Sequence, residues 1–210
     1  MCIGRGGIMQ CNYLKAVITL AVLLMGACSE APKTESTEKA FPSTPVTGKT
    51  AFWDLYKAAH SWAADLEPLK LESSSAPGLK NQAGNAAIWT GTFGSSKRRE
   101  AIMITYAVAA KPPDVTKGIN VGHPFPWPGP TKDALTFQTS DLVADSDAAY
   151  KAALAKAEPW LKKHPDKEVS ISLGNASRFG TPVWYVLWGD SKAGYSVYVN
   201  AKTGEIAKPK

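Results

Sequence analysis

Three histidines, His60, His123 and His164, are the side chains of this 210-residue chain best suited to acid–base or metal chemistry. His60 has no second histidine three or four residues away, and His123 and His164 each precede a proline. The sequence contains no HExxH, GxSxG or GxxxxGK[ST] pattern. We therefore predict no catalytic residue, no metal site and no cofactor.

The three cysteines, Cys2, Cys11 and Cys28, all lie in the first 28 residues. Cys28 follows a 12-residue apolar run (residues 16–27) that Lys15 precedes. A bilayer-spanning helix needs about 20 apolar residues, so the shorter run is typical of a secretory signal, which starts at Met1 or Met9. An ordinary signal cleaved before Cys28 would leave one free thiol. Structural disulfides and cysteine-based zinc sites are then excluded, because the mature chain has no second cysteine.

Residues 23–28, LLMGAC, resemble the lipobox of bacterial lipoproteins, with Met25 where that family usually has Leu. The resemblance implies cleavage before Cys28 and attachment of lipid to this residue, so that a membrane becomes a partner of the chain. Several acyl chains hold a protein on a membrane almost permanently, because each buried methylene contributes about 0.8 kcal/mol. Ser29 after the cysteine implies sorting to the outer membrane, facing the periplasm, in a bacterium with two membranes.

The basic residues are too scattered for a nucleic-acid interface. The formal net charge is +6, and removal of residues 1–28 deletes Arg5 and Lys15 and no acidic residue, which lowers the charge to +4. The densest basic cluster, residues 97–99, is three residues in a predicted turn. We therefore expect no nucleic-acid partner. A hydrophobic content of 44% with seven tryptophans predicts a folded core.

Short sequence matches recur in the same order in two parts of the chain and indicate an internal duplication. They are YKAA at 56–59 and 150–153, EPLK at 67–70 with EPWLK at 158–162, GNA at 84–86 and 174–176, and residues 88–106 with 183–201. The predicted organisation is a signal peptide (1–27), a lipidated Cys28 with a flexible linker (28–50), a first repeat (51–110), a proline-rich connector (111–133) and a second repeat (134–210).

Each repeat is predicted to be α+β, with one helix packed on a curved antiparallel sheet. In the second repeat, Asp145 or Ser146 caps a helix that carries Ala149, Ala153 and Ala157 on one face, and Pro159 ends it. In the first repeat, the apolar stripe of the helix is Leu55, Ala59, Trp62 and Leu66. Strands follow in both repeats, and the loop of the last long hairpin uses Gly194 for an unusual backbone angle.

Four aromatic residues are candidate ligand contacts. Phe125 and Trp127 alternate with prolines in the connector, which favours an extended conformation. These two side chains either face a partner or cover a seam between the repeats. Trp184 and Trp188 lie in a predicted strand, where they either pack in the core or form a platform for a ligand.

The end of the chain resembles the closing hairpin of the PepSY family, whose pattern is V-D-x-x-T-G-E-I. The matching residues are Val199, Asn200, Thr203, Gly204, Glu205 and Ile206, with Asn in place of Asp. The resemblance covers residues 145–206 and is weaker in the first repeat, which lacks the TGE turn. It implies a PepSY/cystatin-like module outside the cytoplasm that inhibits or binds and brings no catalytic residue.

These features predict a non-catalytic, lipid-anchored cell-envelope protein that binds a protein or peptide and acts as an inhibitor or regulator. The alternative is a small envelope enzyme, a hydrolase, with an unrecognised site. A binding module should have an exposed aromatic or apolar surface, whereas an enzyme should have a pocket that holds a histidine–carboxylate pair.

Overall fold

The structure is a computed structural model that describes residues 41–210. The predicted signal peptide and Cys28 lie outside the described residues. Two α-helices are described, α1 (Gly48–His60) and α2 (Ser146–Leu161). The strands are β1 (Val46–Thr47), β2 (Leu66–Ser74), β3 (Asn85–Ala86), β4 (Ile88–Ser95), β5 (Glu100–Ala107), β6 (Gly118–Val121), β7 (Phe125–Pro126), β8 (Val169–Asn175), β9 (Pro182–Trp188) and β10 (Tyr195–Asn200).

One large antiparallel sheet organises the described chain. Its strands follow the order β10-β9-β8-β2-β4-β5-β6, and β7 also pairs with β5. Strands β1 and β3 form a separate two-stranded pair. Both helices pack against the sheet, which confirms the predicted α+β class.

The same order of elements occurs in both halves of the sheet. Helix α1 precedes β2, β4 and β5, and helix α2 precedes β8, β9 and β10. The halves join where β2 pairs with β8, with Leu71 opposite Leu173, and they share one hydrophobic core instead of forming two separate folds. The origin of the halves by duplication stays a prediction. The EPLK–EPWLK match is wrong as a structural equivalence, because the first segment lies in β2 and the second in α2.

The alanine face of α2 is buried as predicted, at Ala149, Ala153 and Ala157. Pro159 does not end this helix. Proline has no N–H to donate to the preceding turn, but the helical hydrogen bonds continue beyond it, and Lys162 N donates to Glu158 O at 3.0 Å. Helix α1 buries Ala51, Phe52, Leu55 and Ala59 but ends at His60. Trp62 and Leu66 of the predicted stripe therefore lie beyond the helix, and Leu66 begins β2.

The N-termini of the two helices meet, and side chains at the start of α2 cap both of them. Asp145 Oδ1 accepts from Ser146 N of its own helix at 2.6 Å and from Lys49 N of α1 at 2.8 Å. The buried Ser146 hydroxyl accepts from Gly48 N and donates to Gly84 O, both at 2.7 Å. Free N–H groups in the first turn of each helix are thus satisfied by side chains at the start of α2.

Two tryptophans lie side by side under these helix N-termini. Trp89 of β4 and Trp184 of β9 are fully buried, and their rings are 6.3 Å apart in an edge-on arrangement. Each indole N–H donates at 2.9 Å to a carbonyl just before a helix, Trp89 to Val46 and Trp184 to Ala144. The polar atom of each large buried ring is therefore satisfied.

Strand alternation divides the sheet into two different faces. The helix-covered face carries the core side chains, among them Leu71, Trp89, Phe93, Leu173 and Trp184. The opposite face, called the open face below, has neither helix on it. Its central residues are Lys70, Glu72, Thr90, Thr92, Ser172, Gly174, Tyr185 and Tyr198, which the strand register places side by side.

Both predicted linkers contribute to this fold. Phe41 packs on Tyr106, with ring centroids 4.5 Å apart, and Val46–Thr47 pairs with β3, so residues 41–50 belong to the fold and not to a flexible spacer. The proline-rich connector is also more than a spacer, because it contains β6 and β7, which both pair with β5.

Candidate binding groove

A cavity of about 480 Å³ lies on the open face and crosses the middle of the sheet. Its floor comes from neighbouring strands and includes three small residues, Thr92 of β4 and Ser172 and Gly174 of β8. Lys70 of β2 lies between them and is the one long side chain of the floor. The three small residues leave space between the aromatic rings on either side. We call this cavity the groove.

The connector forms one wall of the groove with Phe125 and Trp127. Phe125 pairs with Ala101 in β5, and Trp127 N donates to Arg99 O at 2.9 Å, which fixes the wall on the edge of the β4–β5 hairpin. The indole of Trp127 lies directly on Gly94, where a Cβ atom would come within 2.5 Å of the ring. The lack of a side chain at Gly94 therefore allows the tryptophan to lie flat on the sheet.

Three stacked aromatic rings form the opposite wall. Tyr198 lies between Phe179 and Tyr185, with ring centroids 4.6 and 4.9 Å away. Phe179 belongs to a turn that closes with a hydrogen bond from Phe179 N to Ala176 O and has Gly180 at φ +69°. That positive φ favours glycine, so the turn can reverse sharply and bring Phe179 onto the sheet.

Arg178 lies over this second wall. Its guanidinium carbon is 5.1 Å from the ring centre of Phe179 and 5.5 Å from that of Tyr198. Its Nη2 atom donates to the Tyr198 hydroxyl at 3.4 Å, and its carbonyl oxygen accepts from Lys210 N at 2.8 Å. Contacts on both backbone and side chain therefore hold an exposed cation at the groove.

The remaining polar groups of the groove are mostly satisfied. Lys70 Nζ and Glu72 Oε1 form an ion pair of 2.6 Å on the floor side. Asn175 Nδ2 donates to Thr136 O at 2.8 Å, but its Oδ1 atom is buried and has no hydrogen-bond partner among residues 41–210.

The structure separates the four predicted contact residues into two groups. Phe125 and Trp127 line the groove, and their contact with a ligand stays a prediction. The prediction for Trp184 and Trp188 is corrected, because they are 0% and 3% exposed and their strand register turns both toward the helices. Neither side chain reaches the open face.

Sequence reasoning missed the groove residues Arg178, Phe179 and Tyr198, and it gave Tyr185 no firm role. The alternation of residues in β9 could have identified Tyr185. Because Trp184 and Val186 are buried on one face of the strand, Tyr185 between them must point to the other face. Arg178 and Phe179 lie in a turn outside any strand, where the sequence has no periodicity to interpret.

The three histidines do not meet. His60 packs edge-on against Tyr56 with centroids 4.7 Å apart, and His164 stacks on Trp160 at 4.1 Å. His123 is exposed in the connector. Within residues 41–210, no group of three or more His, Cys, Asp or Glu side chains is placed to hold a metal ion.

Two carboxylates with shifted pKa values cap turns away from the groove. The pKa of Asp65 is lowered by hydrogen bonds from Lys97 N and the Ser95 hydroxyl, which tie it to the β4–β5 turn. The pKa of Asp190 is lowered by the backbone N–H groups of Ala193 and Lys192 in the β9–β10 turn. Both shifts thus have a structural cause.

The β9–β10 turn also corrects a prediction. The positive φ lies at Gly189, +85°, and not at Gly194. Gly194 is needed for close packing instead, since a Cβ atom there would lie 2.4 Å from the carbonyl oxygens of Asp190 and Trp188. In the final reversal, Gly204 has a φ of +76°, and Ile206 bridges back to Val199.

Among the described residues, neither α1 nor α2 has the length and apolar character that a helix needs to cross a membrane. No family model and no curated protein matches the chain. The PepSY resemblance accordingly stays a resemblance.

One solved structure that matches is the crystal structure of a putative lipoprotein (CD1622) from Clostridium difficile 630. It is 13% identical in sequence, and the match covers 82% of this chain and 95% of that chain with a TM-score of 0.44. At this level of similarity, the neighbour assigns neither a fold family nor a function to this chain.

Proposed function

We propose that this chain is a non-catalytic binding protein of the cell envelope, anchored by lipid on Cys28, that takes a protein or peptide partner in the groove. The observation that carries the proposal is the groove itself, a 480 Å³ cavity with two aromatic walls and a floor of small side chains. Sites of this volume with mostly apolar linings are typical of ligand binding. Regulation or inhibition of the bound partner would be the outcome.

The position of the groove supports binding by an extended partner. The ring of Tyr198, on β10, and the ring of Trp127, which lies over Gly94 of β4, form its two ends, four strand spacings apart in the sheet. At about 4.8 Å per spacing, the groove extends for about 19 Å, enough for five or six residues of an extended peptide. A compact small molecule would fill only part of this length.

Gly174 allows a direct test, because it lies in the floor with open space above it. An added Cβ atom would have Leu69 O at 4.0 Å as its nearest neighbour, and Gly174 is not among the glycines with positive φ. A leucine at this position would therefore fill the groove without backbone strain. Ser170, exposed on the same face of β8, offers a matched control outside the cavity.

We would capture partners from envelope extracts by crosslinking to the full chain and to its Gly174→Leu and Ser170→Leu variants. We expect a specific partner to be captured by the wild type and by Ser170→Leu and to be lost with Gly174→Leu. Equal capture by all three proteins would overturn the proposal that the groove is the binding site. Circular dichroism of the variants would establish that both are folded.

The anchor has a separate test. Replacement of Cys28 by Ser removes the thiol that would carry the lipid, so we expect the protein to move from the membrane fraction to the soluble fraction. Mass spectrometry of the wild-type N-terminal peptide should show acyl chains on Cys28. Unchanged membrane retention of Cys28→Ser would contradict the anchor without affecting the groove.

A further inference from the structure

We propose that the groove, on the basis of the function proposed above, selects an extended acidic peptide, with a carboxylate at Arg178 and an apolar side chain over Gly174. Arg178 supplies a cation without an ion pair beside a largely apolar cavity, and the floor at Gly174 has space for a side chain.

Arg178 is the cation at the groove that is available to a partner. Lys70 is already paired with Glu72 at 2.6 Å. Arg178 forms no ion pair with a carboxylate among the described residues, and its side chain is exposed. Asp133 also lines the groove but forms no ion pair with Arg178, so a partner's carboxylate would meet an unpaired guanidinium at this end of the groove.

The guanidinium of Arg178 is also held in a favourable orientation. Its central carbon is 5.1 Å from the ring centre of Phe179 and 5.5 Å from that of Tyr198, and among its donors only Nη2 has an acceptor within the described residues, the Tyr198 hydroxyl at 3.4 Å. The other N–H donors lie in the plane and stay available for a carboxylate, which arginine can bind with two parallel hydrogen bonds. Because the stacking already restricts the side chain, less conformational entropy is lost when the carboxylate binds.

The neighbouring floor supplies the apolar half of the recognition. Gly174 and Val183 lie opposite each other in the β8–β9 register, and both line the groove. Tyr185 and Tyr198 line the same cavity, and Tyr198 is also one of the two rings that contact Arg178. An apolar side chain of a partner can thus lie beside the tyrosines while a nearby acidic side chain reaches the arginine.

The test is selection of a displayed library of random heptapeptides on the full chain, purified in detergent and immobilised. We expect enriched peptides to contain Asp or Glu close to a large apolar residue. Arg178→Gln should lower the acidic preference by about fivefold, as expected for one exposed charged contact. Arg178→Glu should reverse the preference toward Lys and Arg, and Arg178→Lys should retain the acidic preference.

Arg98 provides the matched control, because it is a second exposed arginine over an aromatic ring, 5.3 Å from the centre of Trp62, and it does not line the groove. Arg98→Gln should leave the selected sequences unchanged. Enriched peptides without an acidic preference, or an acidic preference that Arg178→Gln leaves unchanged, would overturn this inference. If those peptides no longer bind Gly174→Leu, the groove would still be supported as the binding site. No enriched peptide, or enrichment that survives Gly174→Leu, would overturn the groove as well.

Discussion

The two faces of the sheet use the same strands for opposite purposes. In β9, Trp184 and Val186 are fully buried toward the helices, whereas Tyr185 between them lines the groove on the open face. In β4, Phe93 is buried in the core, whereas Thr92 is a small residue on the groove floor. The helix-covered face is filled with buried side chains, whereas the open face leaves space above Thr92, Ser172 and Gly174.

This difference indicates where stability and binding are encoded. The helix-covered face is closely packed, so a change of volume there has a direct cost. The centre of the open face has space, so changes there should alter binding much more than the free energy of unfolding. The predictions below test this separation and run from the largest expected effect to the smallest.

Truncation of a buried tryptophan should have the largest effect. Trp184→Ala removes a fully buried ring and its hydrogen bond to Ala144 O, so the free energy of unfolding should fall by about 3–5 kcal/mol. Trp127→Ala, which removes a half-buried ring from the groove, should cost about 1–2 kcal/mol. Urea unfolding of both variants measures the difference, and equal losses would contradict the separation of the faces.

Removal of the buried hydroxyl at the helix junction should have the next largest effect. Ser146→Ala leaves Gly48 N without its acceptor and Gly84 O without its donor, which should lower the free energy of unfolding by about 2–3 kcal/mol. The same substitution on the open face, Ser172→Ala, should change it by less than about 0.5 kcal/mol. A cost at Ser172 as large as that at Ser146 would show that the open face is also a stability element.

Addition of one methyl group should distinguish the faces more finely. A Cβ atom at Gly48 would lie 2.7 Å from Trp184 Cη2 and 3.1 Å from Trp89 Cη2, so Gly48→Ala should cost about 1–2 kcal/mol through overpacking. Gly174→Ala meets open space and should cost nothing, because alanine also restricts the unfolded chain. Thermal unfolding of the pair is the measurement, and a Gly48→Ala variant as stable as the wild type would refute the close packing.

The smallest effect should be a pH dependence at the edge of the sheet. Hydrogen bonds from Lys97 N and Ser95 lower the pKa of Asp65 below its unfolded value of about 4. The folded pKa is thus the lower one, so the stabilisation is complete above about pH 4 and is lost as the pH falls through the folded pKa. Asp65→Asn should flatten the fall in stability below pH 4, while peptide capture at neutral pH stays unchanged.

Local patterns in the sequence predicted much of the fold. The alanine face of α2, the cap at Asp145, the long hairpins and the final reversal at Gly204 all follow from residues close together in the chain. The pairing of β2 with β8 could not be predicted in this way, because it depends on residues about a hundred positions apart. The pairing of β7 with β5 likewise depends on the packing of Trp127 on Gly94.

The groove was only partly predictable for a related reason. Phe125 and Trp127 could be predicted as candidate contacts because they alternate with prolines. Trp184 and Trp188 were predicted as possible contacts because they are large aromatic residues, but both are buried in the core. A strand pattern with large residues on both faces does not show which face the helices cover. That choice is made by the packing of α1 and α2, which no single strand encodes.

The capping of α1 by residues at the start of α2 has a consequence for how the protein folds. Gly48 N and Lys49 N in the first turn of α1 donate to Ser146 and Asp145, so a fragment that ended before residue 145 would leave those amides without these acceptors. The Ser146 hydroxyl in turn donates to Gly84 O in the first half of the chain. We therefore expect the two halves to unfold together in one cooperative step, so that the two walls of the groove keep their relative positions until the chain unfolds.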